Sequence, residues 1–251
     1  MSPVPHIPAR FRPRGITFLY EDRDLVVIDK AEGVLTTDAL YGDPHTAEAA
    51  VTAYLRKGAA RSSKRAYLVH RLDRETSGVL LFAKSEEAQT RLKENWRNNE
   101  KIYLALVEGQ LAEPAGIFES ALVEDEDYFV HSVDDPDQGK WARTQYAVCF
   151  TTERISVVKI RLLTGRKNQI RVHFSEAGHP VVGDWKYGAS RRFRAPRLFL
   201  HAQSIAFDHP HNGGRMVFEA PIPASFWRFA EGFTEEDWRK GCEACCGRGH
   251  C

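Results

Sequence analysis

The sequence predicts an α+β protein built on a large, mixed but mainly antiparallel sheet flanked by helices and loops. Segments with the composition of strands outnumber segments with helical periodicity. Most neighbouring strands are joined without a crossover helix, as antiparallel strands are. At 251 residues the chain can bury a substantial core, as one large domain or two small ones.

Apolar runs mark the predicted strands. In chain order they lie at 25–29, 79–83, 102–107, 144–150, 155–163, 198–207 and 215–219. The run at 155–163 shows the alternation of side chains that is typical of a strand. The acidic segment 113–137 contains two prolines and a glycine, and it indicates a hairpin or an insertion.

Capping residues mark the predicted helices. Thr46 is placed to cap a helix that runs to about Lys57. Ser85 is placed to cap a second helix, whose first turn contains two glutamates that favour its positive end. A third helix is predicted at 168–177, with Gly178 just past its end.

The charge of the chain is unevenly distributed behind a formal net charge of +1. Residues 56–74 contain seven Lys/Arg and one acid, 186–197 contain five Lys/Arg and no acid, and 113–137 contain nine acids and no Lys/Arg. The basic stretches include aromatic residues, and this combination favours a polyanion with unstacked bases, RNA in particular. The alternative is that both stretches are ordinary solvated faces.

Neither end of the chain predicts a membrane anchor. Residues 1–15 hold four prolines and three arginines without an apolar core, which argues against a signal or transit peptide and for a flexible arm. No apolar run has the length of a membrane span, so we expect a cytoplasmic protein. Near the other end stand Cys242, Cys245, Cys246 and Cys251, beside His250. With only one Cys-x-x-Cys pair, this cluster favours a mobile tail over a zinc site, and the zinc site stays open.

The most informative segment is His-Arg-Leu-Asp-Arg-Glu-Thr-Ser-Gly at 70–78, which leads into the strand predicted at 79–83. Its carboxylate, Asp73, stands between Arg71 and Arg74, which favour a negative charge. An ionised aspartate is a competent nucleophile. Taken alone, the segment is better explained by a surface salt-bridge cluster before a strand.

Three further segments are unusual for a generic sheet protein. They are Lys-Ile-Tyr at 101–103, Thr-Gly-Arg-Lys-Asn-Gln-Ile-Arg-Val-His at 164–173, and Gly-His-Pro-Val-Val-Gly-Asp-Trp-Lys-Tyr-Gly at 178–188. With 70–78 they resemble, in the same order, the RluA family of RNA pseudouridine synthases. The first segment matches the family's His-Arg-Leu-Asp-x-x-Thr-Ser-Gly signature at every fixed position, and the resemblance runs from about Tyr20 to Pro223.

The resemblance implies the pseudouridine synthase fold and a cofactor-free isomerisation of uridine in ribosomal or transfer RNA. It implies that Asp73 is the catalytic aspartate, that Tyr103 stacks on the base and assists proton removal, and that Arg171 pairs with the aspartate. Arg71 would help to displace the target base, which must be flipped out of folded RNA. The predicted RNA-binding residues are Arg71, Arg74, Lys101, Arg166, Lys167, Gln169, Lys186 and Tyr187.

These assignments divide the chain into an arm at 1–19, a catalytic domain at 20–230 and a tail at 231–251. We expect a monomer without an S4 RNA-binding module, since little chain precedes Tyr20. The sequence departs from the family pattern at Asn168, where many relatives carry His, and at Ala31, where a proline usually follows the lysine. We therefore expect a looser turn after Lys30. His173 and His201 are expected to be structural.

Two other classes of function remain as alternatives. The first is a non-catalytic RNA-binding or RNA-folding protein on the same scaffold, which the joint presence of Asp73, Tyr103 and Arg171 disfavours. The second is a carboxylate-based glycoside hydrolase or nuclease. That chemistry ordinarily requires a paired acid or a metal-binding acid cluster, and the acids of 113–137 show no such spacing.

Overall fold

The structure of the protein, a computed structural model, describes residues 13–37, 45–57, 59 and 61–246, with side chains as far as residue 240. Its strands are β1 (Ile16–Glu21), β2 (Leu25–Lys30), β3 (Tyr67–Leu68), β4 (Ser77–Ala83), β5 (Glu100–Glu108), β6 (Ala115–Glu124), β7 (Val130–Val133), β8 (Lys140–Thr151), β9 (Ile155–Leu162), β10 (Leu200–Asp208) and β11 (Arg215–Glu219). Its α-helices are α1 (Ala47–Arg56), α2 (Glu86–Glu94), α3 (Gln169–Glu176), α4 (Ala224–Phe229) and α5 (Glu235–Cys246). Among these described helices, none combines the length and the apolar character needed to span a membrane.

The chain forms two compact units, the first from Met1–Glu100 and Ala202–Pro221, the second from Lys101–His201 and Ile222–Cys251. In the first unit the strand order is β1-β2-β4-β10, with β3 also paired to β4 and β11 to β10. Every residue of β4 is buried. Helix α2 packs on β4 through Ala88 and Leu92, in one apolar cluster with Leu81. This layer fixes β4, and with it the end of the loop that precedes it.

The second unit contains an antiparallel sheet with the strand order β5-β9-β8-β6-β7. The acidic segment forms the β6–β7 hairpin, one of the two alternatives that the sequence leaves open. Helix α5 packs against β8 and β9, and Trp238 on this helix joins Phe226 and Phe233 in the apolar core. Strand β9 is buried on both faces, because even its polar residues Ser156 and Lys159 are covered.

The local helix signals of the sequence are confirmed. The hydroxyl of Thr46 accepts a hydrogen bond from the amide of Ala49, and the hydroxyl of Ser85 accepts one from the amide of Ala88. Helix α3 begins after Asn168, which has a positive φ of 53°. These elements form where the sequence predicts them, because a cap depends on residues only a few positions apart.

The two ends of the chain need correction. Residues 16–19, expected in a flexible arm, belong to strand β1. Part of the expected mobile tail is also packed, since Phe233 and Trp238 are buried and Glu235–Cys246 form α5. The described residues do not include residues 1–12, the last five residues or the side chains of the cysteine cluster. The zinc hypothesis therefore falls on residues outside the described part of the chain.

Candidate active site

Asp73 lies in the loop between β3 and β4 of the first unit and is partly exposed. Its carbonyl accepts a hydrogen bond of 3.1 Å from the amide of Thr76, which closes a turn directly before β4. Gly78 follows with a φ of 118°, and a Cβ at this position would overlap the main chain of Ala202. Only glycine satisfies both conditions, so the end of the loop is fixed against the sheet.

The main chain on both sides of Asp73 is bound to residues 30–36. The buried Thr36 hydroxyl donates to the carbonyl of Leu72 at 2.6 Å and accepts from its amide at 3.1 Å. On the other side, the carbonyl of Arg74 accepts from the amide of Gly33 at 2.8 Å and from Nζ of Lys30 at 3.3 Å. We call these contacts the main-chain clamp; they hold the backbone of Asp73 and leave its carboxylate to other partners.

Lys30 is completely buried, which is unusual for an ammonium group. Its Nζ also donates to the carbonyls of Val34 at 2.8 Å and Ala31 at 3.1 Å, so the charge is solvated by main-chain oxygens. The resemblance implies a proline at the position of Ala31, whose amide donates to the carbonyl of Gly15 at 2.8 Å. A proline could not make this bond. The turn after Lys30 is therefore held rather than loose.

His70, at the start of the same loop, binds the neighbouring strand. Its Nε2 accepts a hydrogen bond of 3.2 Å from the amide of Leu81, so the proton of the neutral ring is on Nδ1. Arg71 and Arg74 are exposed beyond it, and Nε of Arg74 donates to the carbonyl of Gly33 at 3.3 Å. The loop thus combines a fixed backbone with exposed positive charge.

In the second unit, Lys101 and Tyr103 lie on β5 two residues apart, so their side chains share one face of the sheet. Tyr103 is 7% exposed. Burial lowers the pKa of Lys101 to about 8. A Cβ on Gly165 would stand 3.1 Å from Nζ of Lys101, so the turn before α3 lies over this lysine.

Arg171 is the centre of a buried network on α3. It forms a two-pronged ion pair with Asp184, Nε to Oδ2 at 2.6 Å and Nη2 to Oδ1 at 2.7 Å. Its Nη1 donates to Oδ1 of Asn168 at 3.3 Å, and its guanidinium lies 5.0 Å from the ring centre of Tyr187. Arg171 and Asp184 are 7% and 2% exposed. Asp184 therefore holds the arginine in one orientation.

Asn168 and Tyr187 close this network. The side-chain amide of Asn168 donates to the Tyr187 hydroxyl at 2.9 Å, and that hydroxyl also accepts from the amide of Val130 at 3.2 Å. The main-chain amide of Tyr187 donates to Oδ1 of Asp184 at 3.3 Å. We call Asn168, Arg171, Asp184 and Tyr187 the arginine network. Tyr187 is buried in it. Its contact with RNA stays a prediction.

Gln169, another predicted RNA contact, is also bound by protein groups. It is 2% exposed, and its Oε1 accepts from the hydroxyl of Thr164 at 2.7 Å and from the amide of Arg166 at 3.0 Å. Its Nε2 donates to the carbonyl of Arg143 at 2.9 Å and to the hydroxyl of Thr144 at 2.8 Å. Four protein partners satisfy this side chain, so it orders the turn before α3.

The exposed cations near α3 remain accessible to a ligand. Nε of Arg166 donates to the carbonyl of Trp141 at 3.0 Å, and Lys167 forms an ion pair with Glu124. Nζ of Lys186 donates to the carbonyl of Tyr128 at 2.7 Å. The side chains of Arg166, Lys167 and Lys186 are all exposed. They keep the role of predicted RNA contacts.

His173 is structural, as expected. Its Nδ1 lies 2.8 Å from the hydroxyl of Thr144 and its Nε2 3.0 Å from the hydroxyl of Ser120. Burial lowers the pKa of His173 to about 4. The charge of Glu176 raises this pKa, but by less. The ring is therefore neutral at physiological pH.

Among the described residues, Asp22, Asp24 and His209 form the group with metal-ligating atoms within 4.8 Å of one another. The oxygens of Asp22 are already used by the protein. Oδ1 accepts from the amides of Asp24 and Leu25, and Oδ2 accepts from the Tyr20 hydroxyl and Nε2 of His209. The group stabilises the β1–β2 turn, and we assign no metal to it.

A model of the RNA pseudouridylate synthase family matches residues 24–176, which contain Asp73, Tyr103 and Arg171. The chain belongs to this family. The match covers more than half of the chain and includes the Asp73 loop and two members of the arginine network, Asn168 and Arg171. The resemblance that the sequence predicts is thereby confirmed.

Curated relatives and solved structures agree with this assignment. The chain is 36% identical over 213 residues to "Ribosomal large subunit pseudouridine synthase C" of Pasteurella multocida, covering 81% of this chain and 64% of the relative. It is 31% identical over 222 residues to "Uncharacterized RNA pseudouridine synthase YjbO" of Bacillus subtilis, covering 88% and 77%. The structure of "Human RNA Pseudouridylate Synthase Domain Containing 4" superposes with a TM-score of 0.69 at 25% identity, covering 86% of this chain and 91% of that one.

The family shares the predicted α+β fold. The "Domain Containing 1" human structure superposes with a TM-score of 0.67 at 26% identity, covering 87% of both chains. Asp73 belongs to the first unit, and Tyr103 and Arg171 belong to the second. That these three side chains meet around one uridine stays a prediction. The sequence did not predict Thr36, Lys30 or Asp184, although Asp184 lies within the segment 178–188 that carries the resemblance.

Proposed function

We propose that this protein is an RNA pseudouridine synthase that isomerises specific uridines in ribosomal or transfer RNA. The observation that carries the proposal is Asp73, which stands at the fixed aspartate position of the family signature on a loop whose backbone is held on both sides. The name of the Pasteurella relative favours RNA of the large ribosomal subunit.

The proposed reaction moves the uracil from one ring atom to another. The bond between C1′ of the ribose and N1 of uracil breaks, the base turns over, and a new bond forms between C1′ and C5. The proton of C5 then leaves, and N1 gains one, so atoms and charge balance without a cofactor. Asp73 acts as the nucleophile or as the anion that stabilises the sugar cation.

The other site residues hold the base and the carboxylate. Tyr103 stacks on the detached uracil and assists the removal of the C5 proton. Arg171 pairs with Asp73, and Asp184 supports it by fixing two of its N–H groups. Arg71 takes part in displacing the target base, at a cost of a few kcal/mol for flipping. Lys101, Arg74, Arg166, Lys167 and Lys186 contact the RNA around it.

The proposal also covers the oligomeric state and the specificity of the enzyme. The enzyme works as a monomer, and its partner is the substrate RNA. Its specificity depends on the catalytic domain and its basic loops, since base contacts rather than phosphate contacts carry sequence information.

The decisive experiment replaces Asp73 by Asn. We expect release of tritium from RNA labelled at C5 of uridine to stop, while binding of the same RNA survives. Asp127→Asn, the same chemical change at an exposed acid of the β6–β7 hairpin, should leave turnover unchanged. Turnover by Asp73→Asn would remove the aspartate from the reaction. Mapping pseudouridine in total RNA from cells with and without the gene identifies the target.

A further inference from the structure

Five exposed cations lie between the end of α1 and the start of β3, outside the residues assigned above. They are Arg56, Lys57, Arg61, Lys64 and Arg65, and we call them the 56–65 surface. All five are exposed, and the described residues between them carry no acid. Such a concentration of one sign of charge costs repulsion unless a polyanion uses it.

Local contacts gather these charges at the end of α1. Nε of Arg56 donates to the carbonyl of Lys64 at 3.0 Å, and the amide of Ala66 donates to the hydroxyl of Thr52 at 2.9 Å. The chain after α1 therefore returns to the helix. The guanidinium of Arg65 lies 4.7 Å from the ring centre of Tyr67, which orients this arginine.

The 56–65 surface differs from other cations of the chain in its lack of acidic partners. Within the described part of the chain, none of its five members forms an ion pair with a carboxylate. Arg143, Lys167 and Arg215, in contrast, are paired with glutamate or aspartate. Arg91, Arg239 and Lys240 are paired along their own helices. The charge of the 56–65 surface is thus available to an external anion.

The sheet register relates this surface to the Asp73 loop. Tyr67 pairs with Ala83 at the far end of β4, whereas the Asp73 loop enters β4 at Ser77. Six residues of an extended strand cover about 20 Å. That length corresponds to about six phosphates of a stacked nucleic-acid strand. In the Asp73 loop itself, Arg71 and Arg74 add exposed positive charge.

We propose that the 56–65 surface binds the phosphate backbone of the substrate RNA a few nucleotides away from the uridine that reaches Asp73. This inference rests on the proposed function. A membrane surface fits less well, because basic membrane-binding segments carry exposed apolar side chains. The large exposed apolar residues of the described chain are Ile117, Tyr128, Trp141, Leu163, Trp185 and Val217, all outside residues 56–74. The same lack of an apolar centre disfavours a protein interface.

The test is the salt dependence of RNA binding by a triple variant, Arg56→Gln, Lys64→Gln and Arg65→Gln. Each lost phosphate contact reduces the slope of log Kd against log salt by about 0.7 for single-stranded RNA, so the slope should fall by about 2. Between about 50 and 200 mM salt, the wild-type loss of affinity should exceed that of the variant by roughly 10- to 20-fold. The probe is a labelled 20-nucleotide RNA of mixed sequence, because this contribution is independent of sequence.

The matched control removes three cations that are exposed but already paired, in Arg91→Gln, Arg239→Gln and Lys240→Gln. It changes the net charge equally and should leave the slope at the wild-type value. An equal fall of the slope in both triple variants would mean that only net charge matters, and it would overturn the proposal. An unchanged slope in the first variant would also overturn it. So would a first variant that binds anionic vesicles less well than the wild type but binds RNA equally well.

Activity on total RNA from cells without the gene separates this proposal from the proposed function. If wild-type protein forms pseudouridine while both triple variants keep the wild-type KM, the enzyme assignment stands and the surface assignment fails. If wild-type protein forms no pseudouridine in any RNA, the proposed function itself fails. The expected result is a raised KM in the first triple variant only.

Discussion

The two units hold their functional residues in different ways. In the first, the main-chain clamp binds the backbone of Leu72 and Arg74, on either side of Asp73, and does not use the Asp73 side chain. In the second, the arginine network binds the guanidinium of Arg171 itself, through charged and polar side chains. A backbone clamp allows any side chain at the clamped position. A side-chain network specifies the residue, and removing one charged partner leaves the other charge buried.

The largest effect is therefore expected in the arginine network. Asp184→Asn removes the negative partner of a guanidinium that is 7% exposed. Breaking one side of a buried ion pair costs about 3–5 kcal/mol, because the remaining charge is left uncompensated. We expect a fall of this size in the free energy of unfolding, measured by urea denaturation. A loss below about 1 kcal/mol would mean that water replaces the carboxylate.

A double variant separates stability from function at the same site. Arg171→Met together with Asp184→Asn leaves no buried charge, so much of the lost stability should return. Activity should not return, since Arg171 itself is missing. A double variant that isomerises uridine at the wild-type rate would exclude Arg171 from the reaction. A double variant as unstable as Asp184→Asn would show that packing against Tyr187 outweighs the charge.

The clamp should respond in rate as well as in stability. Thr36→Val keeps the shape of the side chain but leaves the amide and carbonyl of Leu72 without this partner. Each of these two groups costs about 1–3 kcal/mol if it stays unsatisfied. Because a displacement of about 1 Å can reduce a rate by about 100-fold, kcat should fall by one to two orders of magnitude with RNA affinity retained. Stopped-flow or single-turnover assays with a binding measurement test this separation.

Two variants control for a merely structural effect. Thr36→Ser keeps the hydroxyl and should restore kcat to near the wild-type value. Thr152→Val makes the same replacement in the β8–β9 turn, where the hydroxyl also binds main chain, at Arg154 and Ile155. It should lower stability without lowering kcat. Equal rate losses in Thr36→Val and Thr152→Val would contradict a positioning role for Thr36.

The difference between the units extends to pH. His173 of the second unit has a pKa lowered from 6.5 to about 4 by burial, so the unfolded chain binds a proton more readily. Stability from this group is present above pH 6.5 and is lost as the pH falls toward 4. Between pH 7 and pH 5 the loss should be about 2 kcal/mol. His173→Gln should show a smaller decrease in unfolding free energy over this interval, whereas His131→Gln should follow the wild type.

Features that depend on near neighbours along the chain can be predicted from the sequence. The caps at Thr46 and Ser85 are set by residues three positions away, and both were placed correctly. Asp73 was identified because its family signature is contiguous. Thr36, in contrast, binds Leu72 across 36 residues, and no spacing in the sequence indicates that pairing.

The surroundings of two predicted RNA contacts, Gln169 and Tyr187, also depend on distant residues. Gln169 and Tyr187 stand beside Arg166 and Lys186 in the sequence, and the basic neighbours suggested RNA contact. Their burial depends on β8 and on the β6–β7 hairpin, which supply the partners Thr144 and Val130. Polar residues of this kind face RNA or the core according to tertiary packing, which sequence proximity does not reveal.

The smallest effect is expected from a variant that tests whether Tyr187 serves the arginine network or contacts RNA. Tyr187→Phe removes the hydroxyl that accepts from Asn168 and Val130 and keeps the ring beneath Arg171. The free energy of unfolding should fall by about 1 kcal/mol, and the Kd for RNA should stay unchanged. Lys186→Gln, one residue earlier and exposed, should weaken RNA binding with little effect on stability. Weaker RNA binding by Tyr187→Phe at wild-type stability would instead assign Tyr187 to the RNA-binding surface. It would also mean that the network orients Arg171 chiefly through Asp184, because the network would then not need the Tyr187 hydroxyl.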